Sequence, residues 1–247
     1  MKWLFFYAHP DDESVAAGGT IKMLGDLGDE VVTVYSTWGE AGKIKNNEVL
    51  GMSRKKFDNL SGGLKRGLMY EIRKKELEKA NKILGVNEYE ELDYGDGDIS
   101  NKLVWRDLTN AFIELIEKHK PDAVITFDHT GWYFHMDHIG TSLATIKAME
   151  KAKHKVDLLL FNIFHPPGIK NKWKYVYPKE FPTTHKVDIS SVRKSKRRAL
   201  KAHKSQNLTL VNSLDEGKLD EELYQLVKGT RRGKELLKSK KIFVEVG

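Results

Sequence analysis

The sequence predicts an α/β fold: a Rossmann-like, doubly wound and mostly parallel sheet with helices on both faces, and extra short strands in the C-terminal third. Two observations carry this expectation. Lys2 to Ala8 is a continuous apolar run of strand-forming residues, the pattern of a strand buried on both faces. Beyond it, strand-like and helix-like segments alternate with no repeat, low-complexity tract or dividing linker, so residues 1–247 read as one domain.

Each element has its own warrant. Ser14 to Leu27 reads as a helix stopped at Gly28, and Glu30 to Ser36, nearly all β-branched or aromatic, as a second strand. Thr37 to about Gly67 is polar and Gly-containing, a long loop with a short helix over the strand ends, and loops of that length in compact domains are usually functional. Ile72, Leu77, Ala80 and Leu84 give an amphipathic helix from Tyr70 to Leu84, stopped by Gly85. A short strand at Tyr89–Leu92 leads into an acidic turn, and a helix from Leu103 to Lys120 ends before Pro121. Ala123–Phe127 is a buried strand, Ile139 to Lys153 a helix, and Val156 to Ile163 a further strand. In the less regular last third, Trp173–Tyr177, His185–Ile189 and Lys241–Val246 are expected as strands, and Val192–His203 and Leu219–Lys228 as helices.

Composition bounds the function. With 40% hydrophobic and 31% charged residues the chain suits a soluble globular protein, and no run approaches the ~20 apolar residues that span a bilayer. The first apolar run ends in charged residues instead of a cleavage site, so no signal peptide is expected. The absence of cysteine excludes disulfides and thiolate metal sites and suits a cytoplasmic location. A homo-oligomer is left open.

In a doubly wound sheet the first and fourth strands lie side by side, and ligands bind outside their carboxyl ends at that switch point. The loop after the first strand carries His9-Pro10-Asp11-Asp12-Glu13, and the loop after the fourth runs from Asp128 through Gly131-Trp132-Tyr133-Phe134 to His135-Met136-Asp137-His138. These are the only dense His/Asp clusters in the chain, so two loops far apart in sequence should meet in space. Acids at a helix start would serve equally as caps, but capping leaves His9 unexplained. Two imidazoles and a carboxylate can bind a divalent metal and leave positions open for water or substrate, with zinc or ferrous iron as candidates. Of two adjacent acids, one can ligate while its neighbour takes a proton from water. His135 and His138, three apart at a helix start, can point into the same cleft.

With these residues in place, the sequence resembles the LmbE/PIG-L-type zinc-dependent N-deacetylases. The shared signatures are Ala8-His9-Pro10-Asp11-Asp12-Glu13 and His135-Met136-Asp137-His138, echoed by Arg73-x-x-Glu76-Leu77, Asp96-Gly97 and His203-Lys204-Ser205-Gln206, over roughly residues 2–206. The resemblance implies that His9, Asp12 and His138 hold one zinc ion (or ferrous iron), that Asp11 is the base, and that His135 stabilises the oxyanion with Asp137 behind it. It also implies a substrate-side role for Arg73 and an N-acetylated amino sugar or its conjugate as substrate, with Asp96 on the same side. Relatives usually carry a glycine just before the His-x-Asp-His element. Here Trp132, Tyr133 and Phe134 crowd that loop, and Trp132 would suit stacking against a sugar ring. Asp128, Asp96 and His203 serve equally well as loop or cap residues.

The competing class is a nucleic-acid-binding protein, suggested by the net charge of +7 and the basic run Arg193-Lys194-x-Lys196-Arg197-Arg198-x-x-Lys201-x-x-Lys204. Such a run is more often a solvated helix face, so no nucleic-acid partner and no membrane anchor are expected.

Overall fold

A computed structural model describes residues 1–42, 44–164, 183–206, 210–215 and 219–246. Lys2–Tyr7 forms β1. Its side chains alternate between two cores: Trp3, Phe5 and Tyr7 face one, Leu4 and Phe6 the other, and all five are fully buried. At about 1.5–3 kcal/mol for each fully buried large apolar side chain, this strand is a main support of both layers.

The expected first helix is two helices, α1 (Asp12–Ala16) and α2 (Gly18–Asp26), broken at Ala17. The break has a tertiary cause. The carboxylate of Glu222 accepts from the backbone N–H groups of Gly19 (2.8 Å) and Thr20 (2.7 Å), so α2 is capped by a residue some two hundred positions away. A Cβ at Gly19 would lie 2.3 Å from the Ile189 side chain, so only glycine lets α2 approach that segment.

After β2 (Glu30–Thr37), the polar stretch holds a 3-10 turn at Asn47–Leu50 and α3 (Arg54–Asp58). The next helix, α4 (Gly62–Leu84), starts eight residues before the expected Tyr70, because Ser61 caps it by accepting from Leu64 N–H. Then follow β3 (Glu88–Tyr94), α5 (Lys102–His119), β4 (Ala123–Phe127), the short α6 (Gly131–Phe134), α7 (Met136–Lys151) and β5 (Leu158–Ile163). The last third holds β6 (His185–Asp188), α8 (Arg193–Ala202), α9 (Leu210–Asp215), β7 (Glu221–Gly229), α10 (Arg231–Ser239) and β8 (Val244–Glu245).

The strands form one sheet in the order β3-β2-β1-β4-β5-β7-β6-β8. The first five are mutually parallel, while β7, β6 and β8 join by antiparallel pairing. One core lies under α2, α4 and α8, the other under α5 and α7, which is the doubly wound arrangement that the sequence predicts. The chain reverses direction of winding at β1 and β4, so these strands are neighbours and their C-terminal loops converge.

Three expectations change. Leu219–Lys228 is a strand, β7, in place of the expected helix: Glu222 and Tyr224 point inward between half-buried neighbours, and pairing on both sides by β5 and β6 outweighs local helix preference. Lys241–Val246 contributes only the two residues of β8, and α9 and α10 have no counterpart in the expectation. The expected strand at 173–177 lies outside the described residues. Among the described residues, no helix is long and apolar enough to cross a membrane.

Candidate active site

The site is built where β1 stops. Asp12 folds back on the turn, its Oδ2 accepting from His9 N–H at 2.8 Å, so ligand-type side chains of the same pentapeptide face one point. From the neighbouring strand, α7 begins at the residue that caps it: His135 Nδ1 accepts from Asp137 N–H at 3.3 Å. The intervening loop reaches this start through left-handed backbone at Gly131 (φ +58°), Trp132 (+64°) and Phe134 (+64°), a run of unfavourable conformations held by its surroundings. His138, one turn into α7, is fully buried with its ring stacked on Phe127 at 4.1 Å.

The two loops meet. His138 Nε2 lies 3.3 Å from His9 Nδ1 and 3.4 Å from Asp12 Oδ1, and His9 Nδ1 lies 3.6 Å from Asp12 Oδ2. A tetrahedral ion with bonds of about 2.0–2.1 Å requires donor atoms about 3.3 Å apart, a spacing the two imidazole nitrogens meet, with a different Asp12 oxygen facing each ring. The other nitrogen of His9 faces carboxylates, with Nε2 at 3.2 Å from Asp137 Oδ2 and 3.3 Å from Asp96 Oδ1. Those carboxylates hold the Nε2 side of the ring and turn Nδ1 toward His138 and Asp12. His135 is half-buried, its ring stacked on His138 at 4.6 Å; its ring nitrogen lies within 4.8 Å of those of His9 and His138.

Charge follows the geometry. Burial alone would raise Asp12, but the His138 and His9 rings hold it down at about 2. Burial lowers His138 to about 3, leaving a neutral imidazole. His9 is lowered by burial but raised further by hydrogen bonds to Asp12, Asp137 and Asp96, for a net rise. Burial raises Asp11 to about 6 against the pull of Arg73. Burial and the nearby His9 lower His135.

Four expected roles are revised. Asp137 does not stand behind His135: its carboxylate lies on His9, and accepts from Gly97 N–H (2.7 Å) and Ile99 N–H (3.3 Å). Arg73 is buried inside the wall of the site, where it donates to Gly39 O at 2.7 Å, to Pro10 O and to Asp11 Oδ2 at 3.1 Å, so it clamps the turn and offers no face to a substrate. Asp96 is engaged with His9 and with Ala41 N–H at 2.9 Å. Trp132 is a core residue, 1% exposed, with its indole N–H on Asn162 O at 2.9 Å, so it has no face for a sugar. The exposed aromatic of this loop is Tyr133, 38% exposed and 5.9 Å from the His135 ring, which nothing in the sequence sets apart from its neighbours. Asp128 fixes its own loop by accepting from Thr130 N–H at 2.7 Å. His203 is 1% exposed and paired with Glu13 beneath the turn, a contact between residues 190 apart.

The basic run on α8 is partly committed inside the molecule. Lys196 is buried on Glu222 at 2.6 Å, and Arg193 pairs with Asp220.

The chain is 28% identical over 240 residues to the 1D-myo-inositol 2-acetamido-2-deoxy-α-D-glucopyranoside deacetylase of Mycobacteroides abscessus, covering 82% of this chain and 80% of that one. Its fold matches the N,N'-diacetylchitobiose deacetylase of Pyrococcus horikoshii (TM-score 0.66, 24% identity, 92% of this chain and 84% of that one). It also matches GalB, the 4-carboxy-2-hydroxymuconate hydratase of Pseudomonas putida KT2440 (TM-score 0.66, 18% identity, 93% and 98%). One fold thus carries both amide hydrolysis and hydration, and the fold alone does not choose between them. The family described as PIG-L, GlcNAc-PI de-N-acetylase, matches residues 4–149, a stretch that includes both converging loops, and the chain belongs to that family.

Proposed function

We propose that the chain is a metal-dependent hydrolase that removes the N-acetyl group from an N-acetylglucosamine-type amino sugar or a conjugate of one. The observation that supports this best is the convergence of His9, Asp12 and His138, whose imidazole nitrogens lie 3.3 Å apart with an Asp12 oxygen facing each ring, and whose residues lie within the family match. His9 Nδ1, an Asp12 oxygen and His138 Nε2 would hold the ion; zinc suits two imidazoles and a carboxylate, and ferrous iron would accept the same donors. When bound, the ion supplies Lewis-acid activation of water and of the amide carbonyl.

The chain's own residues do the rest. Asp11 takes the proton of the attacking water and passes it to the departing amine, so that the C–N bond breaks and acetate leaves. Its carboxyl, raised to about 6, is tuned for a general base near neutral pH. His135 is neutral, and because its Nδ1 accepts from Asp137 N–H its proton sits on Nε2, ready to donate to the oxyanion. Asp137 and Asp96 hold the His9 ring with Nδ1 turned toward His138 and Asp12.

Acetate release from a panel of N-acetylglucosamine conjugates, with zinc-reconstituted protein, tests the proposal. Release from at least one member is expected, abolished by a chelator and restored by metal. No release from any member, or release that survives metal removal, overturns it.

A further inference from the structure

Asp11 has φ +115° and ψ −26°, a left-handed conformation that a non-glycine residue does not keep unaided. Two groups hold it. Arg73 donates to Pro10 O and to Asp11 Oδ2 on one side. On the other, the Asp11 backbone N–H donates to Glu13 Oε2 at 2.9 Å.

Glu13 is fully buried and braced in turn. Its Oε1 accepts from Ser14 Oγ–H at 2.6 Å and from His203 Nε2–H at 2.9 Å, and Ser14 and His203 are themselves buried. His203 lies at the end of α8, and the chain after it is anchored: Ser205 N–H and Oγ–H both donate to Glu76 at 2.7 Å, and Ser205 O accepts from Lys45 N–H at 2.9 Å. Burial works against a charged Glu13, but His203, Ser14 and the Asp11 N–H outweigh it and hold the carboxyl below its ordinary value. The contact with Glu13 likewise overcomes burial and raises His203 above its ordinary value. A buried carboxylate–imidazole contact of this kind gains little net stability, and neither residue takes part in the proposed chemistry.

We infer that Glu13, braced by His203 and Ser14, is a positioning residue that holds Asp11 in its left-handed conformation and so aims the Asp11 carboxylate at the reacting water. The inference rests on the reading of Asp11 as the base. Glu13 acts only through Asp11, from beneath the turn. The last third of the chain thereby supports the reacting residue of its first turn.

The test compares Glu13→Met, which keeps the side-chain length and removes both acceptors, with Glu13→Gln, which keeps one. Glu13→Met should lower kcat by about fiftyfold or more, with KM within about threefold and metal content unchanged. In the metal-free protein its Asp11 amide should exchange with solvent at least about tenfold faster. Glu13→Gln should fall between Glu13→Met and wild type in both measurements. A merely structural role would lower Tm and leave kcat per folded molecule and the Asp11 amide unchanged, which overturns the inference, as does loss of metal from folded Glu13→Met. If Glu13→Met does not fold, His203→Gln carries the same two measurements from the other side of the pair, and wild-type values there overturn the inference. Wild-type turnover by Asp11→Asn would instead remove Asp11 as the base, and the amide exchange alone would then decide whether Glu13 clamps the turn.

Discussion

His9 Nε2 lies 3.2 Å from Asp137 Oδ2, a contact that ties the loop after β1 to the helix after β4. It orients the His9 ring, and it sets the Asp137 carboxylate beside His9 and not beside His135. Asp137→Asn should therefore weaken metal binding by about tenfold to a hundredfold, the usual effect of losing a carboxylate behind a ligating histidine. Titration of the metal-free variant with zinc checks this, and wild-type affinity would show that Asp137 does not orient His9.

His135 belongs to a separate unit. His135→Ala should keep the metal and lower kcat by roughly a hundredfold to a thousandfold with little change in KM, the scale for one lost oxyanion donor. In metal-saturated protein the losses from His135→Ala and Asp137→Asn should multiply, because the hydrogen bond that joins the two residues runs from the Asp137 backbone N–H, which the substitution keeps. A double variant no worse than His135→Ala alone would show that they act together.

Asp11→Asn should retain metal and fold while losing on the order of a hundredfold or more in kcat, since an amide accepts no proton. Activity within a few-fold of wild type places the base elsewhere.

Gly131→Ala tests the loop that delivers His138. The residue has φ +58°, and an added Cβ would meet His138 Cβ at 2.8 Å and Ile139 N at 3.0 Å. A loss of about 1–3 kcal/mol in stability is expected, with reduced metal occupancy as His138 shifts. Unchanged values for both would mean that the loop absorbs the methyl group.

Glu222→Leu should cost roughly 3–5 kcal/mol in denaturant unfolding. It leaves Lys196 buried without its partner and uncaps the Gly19 and Thr20 N–H groups. A cost below about 1 kcal/mol would show that these groups find other partners.

The sequence by itself determined the doubly wound sheet and the meeting of its two His/Asp loops. A strand such as Lys2–Tyr7, apolar at every position, has to be covered on both faces, and helices at regular intervals leave few topologies that do so. Once β1 and β4 are neighbours, the two loops that carry His9, Asp12, His135 and His138 converge. Tertiary structure decided what local pattern does not encode. Residues 219–228 carry a sequence compatible with a helix, and only pairing on both sides makes them β7. The break between α1 and α2 depends on Glu222, and the hold on Asp11 depends on Glu13 and His203. Asp137 follows His135 by two positions, yet its carboxylate points across the cleft to His9. Side-chain direction at a helix start is set by what packs against it, and here Gly97 and Ile99, from the turn after β3, supply the N–H groups that turn Asp137 that way.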